Sequence, residues 1–147
     1  MKTISMLGFV LVVAACHHGS KTPPAGPPTG GGGGDALAAQ VDQGKALYVA
    51  NCASCHGDAG QGTDKGPPVV GADAFPLHPR DGAKRDVDFH TAADIFAWAT
   101  KNMPADNPAS LTTDEYLAIF AFDLTANGVA LTAPLDGPAA QAIVLHP

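Results

Sequence analysis

The sequence is short of aromatic side chains, basic side chains and sulfur. Its 147 residues include one Trp, two Tyr, six Phe, three Cys and three Met, and eight Lys and Arg stand against 14 acidic residues. The resulting net charge of −6 excludes a nucleic-acid polyanion as partner, since that contact needs clustered cations. No apolar run reaches the roughly 18 to 20 residues that cross a bilayer, so no transmembrane helix is expected in the mature chain. With so few aromatics, the Ala- and Val-rich apolar content makes a thin core, and something else is expected to fill the middle. Charges and aromatics are nonetheless spread too evenly for a disordered chain.

The N-terminal residues read as an address. Lys2 is a short positive start, and residues 4–15 are an apolar stretch of signal-peptide length. The sequence Val13-Ala14-Ala15-Cys16 resembles the bacterial lipobox, in which a cysteine after small residues is acylated and becomes the new N-terminus. An ordinary signal peptide with a cysteine near its cleavage site is the plainer alternative. After Cys16, residues 17–34 hold seven of the 17 glycines and four of the 13 prolines. Such a segment cannot build a core, and as a coil it reaches on the order of 20 to 25 Å. His17 and His18 are solvated tether residues in this reading. The expected organisation is a lipoprotein signal peptide over 1–15, lipidated Cys16 and tether over 16–34, one domain over 35–128 and an extension over 129–147. Export across the inner membrane and lipid anchoring on the periplasmic face follow, and His17 after the cysteine, where an aspartate would signal retention, points to the outer membrane.

Cys52-Ala53-Ser54-Cys55-His56 carries the chemistry. This C-x-x-C-H spacing is the attachment pattern of a c-type haem. Two thiols on the first turns of a helix add to the two vinyl groups of one porphyrin, and the adjacent imidazole is placed for the iron. A redox dithiol, half of a zinc site and a structural disulfide stay open at this point. A zinc site needs two more ligands, and a dithiol has no use for the histidine.

From about residue 41 to 128 the chain resembles the small class I cytochromes c, which are all-helical and carry single electrons on one covalent haem. Gln43-Gly44-Lys45-Ala46-Leu47-Tyr48 is similar to the family's N-terminal helix, and Gly44, Tyr48 and Cys52 fall on one helical stripe. Lys65-Gly66-Pro67-Pro68-Val69 is similar to the family's G-P-x-L, which implies that the Pro67 carbonyl accepts a hydrogen bond from the haem histidine. Val69 replaces the leucine. A helix expected over 91–101 leads to Lys101-Asn102-Met103-Pro104, which resembles the loop whose methionine offers sulfur to the iron. Met1 and Met6 leave with the signal segment, so Met103 is the one methionine of the mature chain. His78, His90 and His146 are its competitors.

Thr112-Thr113-Asp114-Glu115 reads as a helix start, with a helix to Ala126 and Gly128 just beyond. The resemblance implies that Ile119 and Phe122 cross the N-terminal helix near Gly44 and Tyr48. Asp123 stands where the family often has an apolar residue and is expected to be solvated. Trp98 is expected beside the haem, and Arg80, with Lys84 and Arg85 near it in sequence, is a candidate for neutralising haem propionates. Residues 129–147 are expected to wrap back on the domain.

The expected fold is all-α, a small cytochrome c fold whose N- and C-terminal helices cross around one covalently bound haem c. The expected function is extracytoplasmic single-electron transfer by Fe(III)/Fe(II) cycling, without bond chemistry on a substrate. The expected partners are redox proteins docking through basic or apolar patches, on a monomeric domain held to the membrane by its lipid. Two other functions are weighed with it. One is a haem enzyme or a gas- or peroxide-binding domain with a labile distal ligand, and the other is an electron-accepting subunit of a periplasmic dehydrogenase or oxidase complex.

Overall fold

The computed structural model describes residues 33–146. The expected signal peptide, Cys16 and nearly all of the tether lie outside the described residues. Five helices follow in order: α1 (Gly33–Asn51), α2 (Ala53–His56), α3 (Ala92–Asn102), α4 (Thr113–Ala126) and α5 (Gly137–Ala142). Among the described residues there is no β-strand, only one isolated antiparallel bridge between Thr91 and Val144. No described helix is long and apolar enough to cross a membrane.

Local chemistry accounts for the helix ends. α1 starts at Gly33 and carries Asp35 in its first turn, where a carboxylate meets the positive end of the helix dipole. Gly33 and Gly34 are the first two residues of this helix. α3 and α4 open with matching capping boxes. The Thr91 N–H donates to Asp94 Oδ2 at 2.7 Å, and the Thr112 N–H donates to Glu115 Oε2 at 2.7 Å. These backbone hydrogen bonds hold both carboxyls below the usual carboxylate range. α3 ends where Met103 turns extended at φ −122°, as a residue before proline must. α5 is capped by Asp136, whose Oδ1 accepts from the Ala139 N–H at 2.7 Å.

The main packing is α1 across α4, the helix crossing that the resemblance implies. It is closest at Gly44, where an added Cβ would lie 1.8 Å from the Ala118 carbonyl oxygen. One turn on, Tyr48 is 1% exposed, its ring lies 5.4 Å from that of Phe122, and its hydroxyl donates to the Gly57 carbonyl at 2.8 Å. The other side of α4 packs on α3 through Phe120 and Phe96, with ring centroids 5.8 Å apart. Covered on two sides, α4 is buried almost all round, from Tyr116 to Ala121 and again at Asp123 and Leu124.

Residues 129–146 complete the core. Leu135 and Ala140 are buried in it, and the Leu145 N–H donates to the His90 carbonyl at 2.8 Å. Gln40 of α1 clamps the segment by a pair of bonds, donating to the Leu135 carbonyl at 2.9 Å and accepting the Leu135 N–H at 2.6 Å.

Candidate functional site

The thin core surrounds a cavity of about 660 Å³. Its walls bring together Cys52, Cys55, His56, Pro67, Trp98 and Met103, residues spread over about a third of the chain. Cys52 caps α2 and Cys55 and His56 lie within it, so one short helix carries the whole motif. The Cys52 N–H continues from α1 by donating to the Tyr48 carbonyl at 2.8 Å.

His56 is oriented through one ring nitrogen. Nδ1 lies 2.7 Å from the Pro67 carbonyl oxygen, which can only accept, so Nδ1 carries the proton and Nε2 keeps its lone pair. The loop that presents Pro67 folds on itself, the Gly62 N–H donating to the His56 carbonyl at 2.7 Å and the Thr63 hydroxyl to the Cys55 carbonyl. Gly66 sits where a Cβ would come within 3.0 Å of the Cys55 carbonyl oxygen and 3.2 Å of His56 Cε1. Any side chain there would push on the imidazole.

Met103 reaches the cavity from the end of α3, and the Tyr116 hydroxyl donates to its backbone carbonyl. The three competing histidines are elsewhere. Exposed His78 pairs with Asp88 at 3.2 Å, half-buried His146 places Nε2 2.8 Å from the Phe75 carbonyl oxygen, and His90 is exposed. None of them lines the cavity.

The other uses of the cysteine pair fit poorly. Both thiols are free. Burial, with smaller contributions from Asp123 and Cys55, pushes the Cys52 thiol up to about 12, far from the thiolate that a redox dithiol needs. Among the described residues no group of three or more His, Cys, Asp or Glu side chains could hold a metal ion, so the cysteine pair is not completed to a zinc site there.

The basic cluster divides. Arg80 and Lys84 lie on the cavity wall, with Arg80 donating to the Asp73 carbonyl. Arg85 is buried, and it is satisfied by carbonyls alone: Leu77 at 3.0 Å, Val87 at 2.9 Å and Pro76 at 2.8 Å. Its guanidinium also stacks 3.8 Å from the centre of the Phe89 ring, which meets Trp98 edge-on at 6.3 Å. Burial lowers its proton affinity, with Asp88 opposing.

Asp123 corrects the expectation of a solvated side chain. It is 5% exposed and lines the cavity, and its Oδ1 has no hydrogen-bond partner among the described residues. Its neighbours Ala121 and Leu124 are buried as well, so α4 has no solvent face at that position. The sequence reading also missed Tyr116 as the partner of Met103, and Asn127, whose Nδ2 donates to the Val69 carbonyl at 2.8 Å and whose Oδ1 accepts the Gly71 N–H at 2.9 Å. These bonds join side chains to distant main chain and leave no pattern in the sequence.

An all-helical domain with a C-x-x-C-H helix on an apolar cavity defines a c-type cytochrome. Residues 39–122 match the protein family described as cytochrome C oxidase, cbb3-type, subunit III. This is more than half of the chain, and the chain belongs to that family. Among solved structures it is similar to a chain of the sulfane dehydrogenase SoxCD from Paracoccus pantotrophus, at 31% identity and a TM-score of 0.55, over 71% of this chain and 52% of that one. The chain thus spans about half the length of that relative. A comparison with curated protein sequences gives no match. The family implies covalently bound haem c and electron transfer, and the residues present fit it. Two free thiols, an imidazole with an open Nε2 and a thioether share one cavity, and Gly66 leaves the histidine unobstructed.

Proposed function

We propose that the chain is a single-electron carrier using one c-type haem, bound through Cys52 and Cys55 and ligated by His56 and Met103. The observation that carries this reading is the convergence of both thiols, His56 and Met103 on one cavity that no other histidine among the described residues lines. Bound there, haem supplies a reversible Fe(III)/Fe(II) couple. The protein supplies orientation and exclusion of water. Pro67 fixes the His56 ring and strengthens Nε2 as a donor. Tyr116 holds the Met103 main chain, and Ile95, Trp98, Ile119 and Phe120 give the cavity an apolar wall.

The test is the visible spectrum of protein matured with its haem, oxidised and reduced, for wild type and Met103→Ala. Low-spin c-type bands with a sulfur-to-iron charge-transfer band are expected in the wild type. The variant should lose that band and have a lower potential. A high-spin ferric wild type would favour an open-iron enzyme, and a haem-free protein would overturn both readings.

The likeness to a chain of a dehydrogenase favours a second reading, in which the same haem accepts electrons as part of a larger complex. Native-mass measurement of protein purified from its own cells separates the two: a stable larger assembly supports the subunit and a lone chain the shuttle. Lipid anchoring at Cys16 on the periplasmic face, with the outer membrane as destination, belongs to the same proposal and is supported by Val13-Ala14-Ala15-Cys16. Cys16→Ser should release the protein from the membrane fraction.

A further inference from the structure

Asp123 has no part in haem attachment or ligation, yet it is a carboxyl buried on the wall of the haem cavity. It is 5% exposed, and its Oδ1 is unpartnered among the described residues. Around it, α1 contributes Tyr48 and the junction of α1 and α2 contributes Cys52. Cys55 acts on Cys52 through its charge, and Asp58 acts on Tyr48 in the same way. None of these four groups is a cation. The packed loop that follows offers Val69, whose carbonyl is engaged by Asn127. The burial of Asp123 is therefore uncompensated, and a carboxyl so placed favours its neutral form. Burial raises it to about 8. An added electron in the same low-dielectric space raises proton affinity further, because unlike charges attract strongly there.

We propose that Asp123 is a redox-linked proton site. At a pH between the proton affinities of the oxidised and reduced forms, a one-electron donor reduces the protein and one proton from solvent binds the Asp123 carboxylate, so the charge of the pocket is unchanged. When the electron leaves for the acceptor, the proton returns to solvent. This rests on the haem reading of the cavity.

The experiment is a spectroelectrochemical titration of the haem-loaded protein between about pH 5 and pH 10, for wild type, Asp123→Asn and Asp123→Leu. The wild-type potential should be level at the acid end, fall as pH rises through the middle of the range and level off again. Between the proton affinities of the oxidised and reduced forms the reduction equilibrium should change up to tenfold per pH unit, which is about 59 mV for one electron. Both variants should remove this segment. A reduced-minus-oxidised infrared difference spectrum should show a protonated-carboxyl C=O band in the wild type, shifted in D₂O, and this needs no variant to fold. A level wild-type potential with no such band would overturn the proposal, as would a slope that survives in both variants. Absence of covalent haem is visible in the absorption spectrum before any titration, and it would overturn the functional reading itself.

Discussion

At the residue scale, the site is held by main-chain acceptors rather than by ion pairs. His56 is aimed by the Pro67 carbonyl, Arg85 is satisfied by three carbonyls, and Met103 is tied by its own carbonyl to Tyr116. The last of these predicts a selective effect. Tyr116→Phe keeps the ring in the core and removes one neutral hydrogen bond, worth about 1 kcal/mol. Haem attachment should be unaffected. The sulfur charge-transfer band should disappear at a lower temperature than in the wild type, and carbon monoxide should bind the ferrous protein several-fold faster, followed by stopped flow. Equal binding rates would leave Tyr116 as core filler. The residues that converge on the cavity were legible because their spacing is local: C-x-x-C-H within five positions, Gly66 beside Pro67, and one methionine before a proline. Tyr116, 13 residues from Met103, and Asp123, on a helix buried almost all round, follow no local rule.

At the scale of elements, the scaffold depends on how closely α1 and α4 approach. The stripe of Gly44 and Tyr48 was readable, and so was the threonine start of α4, because caps and helical stripes are written within one or two turns. The tie between Gln40 and Leu135 spans 95 positions and was not. Two glycines of α1 separate the roles of this residue. At Gly44 an added Cβ meets the Ala118 carbonyl oxygen at 1.8 Å, so Gly44→Ala must push main chain from main chain. A loss on the order of 1 to 3 kcal/mol is expected, as for overpacked cores. At Gly34 nothing lies within 4 Å of an added Cβ. Gly34→Ala should gain up to about 1 kcal/mol of helix propensity. Denaturant titrations of the haem-loaded variants give both signs, and equal shifts would mean that the crossing tolerates separation.

At the scale of the whole molecule, net charge and local charge point in opposite directions. The chain carries −6, which on its own favours cationic partners. Yet four of its eight Lys and Arg residues, Lys65, Arg80, Lys84 and Arg85, line the haem cavity, and Lys65 and Lys84 are exposed. Of the acidic residues, Asp106 and the buried Asp123 share that lining. The Debye length decides which charge an approaching partner meets. At about 0.1 M salt it is near 10 Å, so the charges that line the cavity count for more than charges beyond that distance. Oxidation of the ferrous protein by ferricyanide, an anionic acceptor, should therefore slow as ionic strength rises from about 0.05 to about 0.5 M, because screening removes an attraction. Reversing the mouth with Lys65→Glu and Lys84→Glu should turn that slope upward and lower the rate at low salt several-fold, with the α1–α4 core untouched. If the unaltered protein speeds up with salt, the net charge governs encounter. The docking partner would then present cations to a negatively charged molecule.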